Sequence, residues 1–116
     1  MRSRTKRFAM EIIRLYGQMP KTAEGQVLGH QFLQSGTSVG AQYREAHRAR
    51  SAAEFISKME GSLQELDETD YWLDLVIEAR ILSASIISPL QREVQELIAI
   101  FVSSVRTAKA SRSRSP

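Results

Sequence analysis

The sequence predicts an all-α protein, an antiparallel up-down-up-down four-helix bundle. Three observations predict it. Apolar residues recur at three- and four-residue intervals, with little strand-type alternation. Four such stretches stand apart, each with its own start or stop signal. The junctions between them are short, which forces consecutive helices to run antiparallel. The chain has 116 residues, enough for one domain with its own core. We expect that domain over residues 1–110 and a disordered basic tail over 111–116.

The first helix is expected from about Arg4 to Met19, with Phe8, Ile12, Leu15, Tyr16 and Met19 as its stripe and Pro20 as its stop. The second starts near Thr22, a plausible N-cap, and runs to about Arg48. Leu28, Phe32, Gly36, Val39, Tyr43 and Ala46 share one face of it. Gly25, Gly29, Gly36 and Gly40 lie inside it, each costing about 1 kcal/mol relative to alanine. Two readings stay open: a kink near Ser35–Ser38, or small residues that let a neighbouring backbone come close.

The third helix opens with Ser51 and Glu54 in a capping-box pattern and is expected to reach about Ser83. Phe55, Met59, Leu63, Leu66, Leu73 and Ile77 make its inner stripe. Trp72, Leu75, Val76 and Ala79 add a second apolar strip beside it. The fourth is expected to begin at Ser88-Pro89, where proline suits the first helical position. Gln91 would complete a Ser-x-x-Gln box. Leu90, Val94, Leu97, Ile98, Phe101 and Val105 carry its stripe to about Ala108.

Composition narrows the classes. There is no cysteine, so disulfide frameworks, thiolate zinc sites and cysteine nucleophiles drop out. No apolar run approaches the ~20 residues of a membrane helix. No signal-type apolar stretch follows the basic start. A soluble, cytoplasmic protein without a membrane partner is expected.

The net charge is only +3, but its distribution is uneven. In an up-down bundle the chain start, the junction between the second and third helices, and the chain end share one pole. That pole would gather Arg2, Arg4, Lys6 and Arg7, then Arg44, Arg48 and Arg50, then Arg106, Lys109, Arg112 and Arg114. These are 11 of the 16 basic residues. Asp67, Asp70, Asp74 and Glu78 line one face of the third helix instead. An arginine-rich pole is the footprint expected for phosphate backbones. His47 and Tyr43 lie among these cations and are candidates to stack on bases.

Catalytic and metal patterns are missing. Di-iron bundles use Glu-x-x-His on two helices. Here Val27 and Arg44 stand three residues before His30 and His47. Ser35, Thr37 and Ser38 beside Gly36 and Gly40 match neither common phosphate-loop pattern, and no strand precedes them. A non-enzymatic protein without metal or cofactor is expected.

The block Ser35-Gly-Thr-Ser-Val-Gly-Ala-Gln-Tyr-Arg-Glu-Ala46, followed by His47-Arg-Ala-Arg-Ser51, Glu54-Phe-Ile-Ser-Lys58 and the stretch Glu65–Leu75, resembles a known family. These are the bacterial four-helix-bundle proteins encoded in intervening sequences of 23S ribosomal RNA. That family is similar to the accessory variability proteins of diversity-generating retroelements, which work with a reverse transcriptase. The resemblance implies a homopentamer, a nucleic-acid-binding basic surface at Arg44, Arg48 and Arg50, and packing or interface roles for Gly36 and Tyr43.

The expected function is thus an oligomeric accessory protein that binds RNA or DNA without reading sequence, with a reverse transcriptase or ribosomal RNA as partner. Its candidate binding set is Arg4, Lys6, Arg7, Arg44, His47, Arg48, Arg50, Arg106, Lys109, Arg112 and Arg114. Its candidate subunit contacts are Gly36 and Tyr43, which the resemblance implies, and Trp72, Leu75 and Val76, because exposed apolar area marks interfaces. The competing expectation is a protein-interaction scaffold that docks a partner on the acidic face of the third helix.

Overall fold

The computed structural model describes residues 1–114. Four α-helices follow in order: α1 (Arg2–Gly17), α2 (Ala23–His47), α3 (Ala52–Glu78) and α4 (Ala84–Arg114). They form a rod of 56 × 22 × 20 Å. Side-chain pairings fix the helix directions. Thr5, Ile12 and Tyr16 of α1 lie against Gly40, Gly36 and Gly29 of α2, so the indices run oppositely. Ser62 and Thr69 of α3 reach Val39 and Ser35 of α2. Asp70 and Glu60 of α3 meet Gln91 and Lys109 of α4. Each helix is therefore antiparallel to the one before it.

The caps explain two starts. Thr22 Oγ1 accepts from the Gly25 N–H at 3.1 Å. Ser51 Oγ accepts from the Glu54 N–H at 3.1 Å, one half of the expected reciprocal pair. Both satisfy donors that a helix start would otherwise leave orphaned.

Three boundaries differ from expectation. α3 stops at Glu78, not near Ser83. Arg80 turns left-handed at φ 59°. The Ile81 N–H then bonds the Val76 carbonyl and the Arg80 N–H bonds the Ile77 carbonyl, both at 2.9–3.0 Å. This is the Schellman closure, usually built on glycine. Arginine at that position hides it in the sequence.

α4 begins at Ala84, so Pro89 lies inside the helix and Ser88 is no cap. The early start carries Ile87, fully buried, into the same stripe as Leu90 and Val94. Proline there removes one donor, whose acceptor would be the Ser85 carbonyl; Ser85 is exposed and its carbonyl can turn to water. At the other end, α4 continues through Ser111–Arg114, where an unstructured tail was expected. A helix already nucleated adds one bond per residue, so polar composition alone does not stop it. Residues 115–116 of the expected tail lie outside the described residues.

The core is continuous along the rod. Phe8, Ile12, Phe32, Val39, Met59, Leu66, Leu73, Val94, Leu97 and Phe101 are all essentially inaccessible. Four polar side chains, Thr5, Ser35, Ser62 and Thr69, are buried with them. Ser62 Oγ donates to the Val39 carbonyl at 2.8 Å. Thr69 Oγ1 lies 2.7 Å from Ser35 Oγ and 2.8 Å from the Glu65 carbonyl. Among the described residues no buried side-chain polar atom lacks a partner, as burial demands.

Of the two readings of the α2 glycines, close approach is the one realised: α2 is unbroken from Ala23 to His47. A Cβ on Gly36 would stand 2.8 Å from Ile12 Cγ1, and one on Gly29 would stand 2.9 Å from Tyr16 Cε1. The α1–α2 seam closes only because those carbons are absent. By contrast α1 meets α4 sparingly. That seam is tied at Arg4, whose Nε and Nη2 donate to the two Glu93 carboxylate oxygens at 2.8 and 2.7 Å.

Candidate nucleic-acid interface

Helix directions bring the start of α1, the α2–α3 turn and the last turns of α4 to one end of the rod. Arg2 and Lys6 of α1 share a groove with Arg44 of α2. Arg48 and Arg50 share a second groove with Lys58 of α3. Lys109 of α4 reaches Glu60 of α3 at 3.5 Å. Arg44, His47, Arg48, Arg50, Arg106, Lys109 and Arg112 are all exposed.

The cations do not form one uniform cap. Arg4 is half-buried and committed to Glu93, with Glu96 at 3.5 Å. Arg7 faces the same seam, beside Glu11 and Glu93. Both point toward α4 and its carboxylates, so the structure separates them from the other cations of the candidate set. The second groove is also mixed, since Glu45 and Glu54 line it with Arg48 and Arg50. Glu45 pairs with Lys58 at 3.4 Å. Of these grooves, the first is the one lined by cations without a carboxylate. Arg2, which completes it, was counted at the pole but left out of the candidate binding set. The signal was in the sequence: Arg2 and Lys6 are four residues apart, so they share one face of a helix.

Beneath this end runs a stack of rings. Tyr43 is buried and stacks on Phe101, with centroids 5.4 Å apart. His47 packs edge-on to Tyr43 at 4.4 Å and to Phe55 at 6.1 Å. Burial pushes the Tyr43 hydroxyl up in pKa, partly countered by nearby Arg2. Tyr43 belongs to the core and is not free to stack on a base, contrary to the expectation from its neighbours in sequence.

The expected subunit contacts divide in the same way. Gly36 is buried against Ile12. Val76 is fully buried, because α3 turns Met59, Leu66, Leu73 and Ser62, Thr69, Val76 inward as two rows at seven-residue spacing. Trp72 and Leu75 are half-buried, Trp72 packing one side against the core while the rest of its surface stays open. Tyr71, 57% exposed, packs edge-on to Trp72 at 5.0 Å. Of the expected contacts, only Trp72 and Leu75 present surface to another molecule.

The acidic face of α3 is partly drawn into the fold. Asp70 is half-buried, and its carboxylate accepts from Gln91 Nε2 at 3.5 Å. Burial raises the Asp70 pKa first, then the neighbouring charges of Asp74 and Asp67, against the hydrogen bond from Gln91. Glu93 shifts the other way. The hydrogen bond from Arg4 holds it down, burial opposes, and the charges of Arg4 and Arg7 add to the lowering. The two shifts have opposite linkage. Glu93 contributes stability present above its unfolded pKa and lost as pH falls through its depressed folded value. Asp70 lowers stability at neutral pH, and that penalty lifts as pH falls through its raised folded value. Asp70→Asn should therefore raise the melting temperature near pH ~7, with the advantage gone below about pH 3.5. Glu93→Gln should lower it near pH ~7 and approach wild type at the acid limit. Thermal melts of the three proteins across this range test both signs.

Among the described residues no group of three or more His, Asp or Glu side chains is placed to hold a metal ion. No helix among them is long and apolar enough to cross a membrane.

Comparison with curated proteins gives no match. Among solved structures, one is similar over 90% of this chain and 96% of its own, at 33% identity and a TM-score of 0.84. It is a protein of unknown function from the S23 ribosomal protein family of Bacteroides thetaiotaomicron. The family described as 23S rRNA-intervening sequence protein matches residues 1–103. That span takes in α1, α2, α3 and most of α4, including the buried Gly36 seam and the arginines of the α2–α3 turn, and so the chain belongs to the 23S rRNA-intervening sequence protein family.

Proposed function

We propose that this protein is a non-enzymatic accessory protein that binds RNA or DNA through the basic end of the rod, without reading base sequence. One observation carries the reading: eight basic residues from three separate chain segments meet at one end. They are Arg2, Lys6, Arg44, Arg48, Arg50, Arg106, Lys109 and Arg112. The start of α1 adds to the field there. It has no side-chain cap and no acidic residue in its first turn, so the positive end of its dipole is unopposed.

Phosphate contacts of this kind position a strand and carry no sequence information. Self-association strengthens them, because basic ends held together raise the effective concentration of the next contact. Trp72, Leu75 and Tyr71 supply apolar surface for that assembly. The family resemblance suggests five copies, and a reverse transcriptase or ribosomal RNA as partner.

A salt titration tests the reading. Affinity for a single-stranded RNA should fall linearly in log–log form, with a slope of about −0.7 per neutralised phosphate. Replacing Arg14 and Lys21, exposed at the opposite end, by glutamine should leave both affinity and slope unchanged. A wild-type protein that fails to bind at low salt, or binds with no salt dependence, refutes it.

A further inference from the structure

The basic end contains two grooves of similar size and unlike charge. The groove between α1 and α2 encloses about 390 Å³. Arg2 and Lys6 reach it from α1, one helical turn apart, and Arg44 reaches it from α2. No carboxylate lines it, and none of the three side chains has an ion-pair partner among the described residues. The groove at the α2–α3 turn encloses about 430 Å³, but Glu45 and Glu54 offset its cations.

The floor of the first groove is made of small and hydroxyl side chains: Ala9, Gly40, Thr5 and Thr37. Three hydroxyls line the groove; those of Thr5 and Thr37 donate to their own helices, which leaves Ser3 as the one that faces it. Thr5 Oγ1 donates to the Arg2 carbonyl at 3.0 Å and Thr37 Oγ1 to the Leu33 carbonyl at 2.7 Å. No aromatic ring lines the groove. The nearby rings of Tyr43 and His47 are packed on Phe101 and Phe55. What remains is positive charge over a smooth floor, with no stacking platform and few directed donors.

We infer that the α1–α2 groove, lined by Arg2, Lys6 and Arg44, is the phosphate-binding site of this protein and holds a sugar-phosphate backbone by charge alone, with the bases left outside. This rests on the nucleic-acid reading above and narrows it to one groove and one part of the strand. Stacking, which gives single-strand binders about 1–3 kcal/mol per base, has no part here.

Fluorescence anisotropy with a labelled single-stranded RNA at low salt tests this. Arg2→Gln with Lys6→Gln and Arg44→Gln should weaken binding at least tenfold and flatten the salt slope by about 2 units, from three lost phosphate contacts. Arg48→Gln with Arg50→Gln, whose cations Glu45 and Glu54 offset, should weaken it several-fold less than the first-groove variant. An abasic strand of equal length should compete within twofold of the base-bearing one. The replaced side chains are exposed, and an unchanged circular-dichroism melt verifies the fold of each variant. If the wild type binds and the first-groove variant binds equally well, the groove assignment is overturned while the basic end stands. If the base-bearing strand wins more than tenfold, backbone-only binding is overturned. If the wild type binds neither strand, the nucleic-acid reading itself fails.

Discussion

Phe101→Ala should lower the unfolding free energy by about 3–5 kcal/mol, the range for truncating a buried aromatic side chain. Phe101 is fully inaccessible, sits on α4 and stacks on Tyr43 of α2 at an interplanar angle of 16°. Its loss opens a cavity that cannot collapse easily, because Tyr43 is held in turn by His47, and His47 by Phe55. The ring also joins two helices that share no loop. Urea denaturation followed by circular dichroism measures the effect. The midpoint should fall with the slope unchanged, the mark of a stability loss without a change in the surface exposed. A loss below ~1 kcal/mol would mean that the α2–α4 diagonal is not tightly packed.

Gly36→Leu should cost about 2–3 kcal/mol, although leucine is the better helix former by nearly 1 kcal/mol. The first added carbon already meets Ile12 Cγ1 and Cγ2 at 2.8 and 2.9 Å. Those atoms branch directly from the Ile12 Cβ and have little freedom to swing aside. α1 must then lift off α2. Because α1 touches α4 so little, not much besides the Arg4–Glu93 pair remains to hold it. Hydrogen exchange should show the α1 amides losing protection before those of α3. Gly17→Leu is the control: a Cβ there meets nothing within 4 Å, and its effect should stay within about 0.5 kcal/mol. Equal effects at the two glycines would sink the close-approach reading.

Much of this architecture was legible in the residues. Helix number, order and direction follow from the apolar spacing and short junctions, and the Thr22 and Ser51 caps sit where their side chains predict. The misses have separate physical causes. Ser62 and Thr69 read as polar, yet each finds its acceptor across or along the seam and so enters the core. That admits Val76 and leaves Trp72 and Leu75 half-buried beside it. Arg80 conceals a helix end that glycine would have announced. Pro89 looks like a start, but burial of Ile87 pulls the helix past it.

The candidate site was legible in outline only. Net direction placed the cations at one end, but a count of charges ignores what each one faces. Arg4 is spent on Glu93, 89 residues away in sequence, a pairing that no local pattern signals. Arg2, left out of the candidate binding set, lines the same carboxylate-free groove as Lys6 and Arg44.

The hydroxyl bonds between α2 and α3 carry one more implication. Slipping either helix by a turn would strand the Ser62 and Ser35–Thr69 partners in a dry seam, where each orphaned group costs about 1–3 kcal/mol. The two helices therefore mate at a single height, as a key fits its wards. Arg48 and Arg50 hang from the turn that joins them, and Arg44 stands one helical turn above. Two serines and a threonine thus set the elevation of the charges without touching any of them.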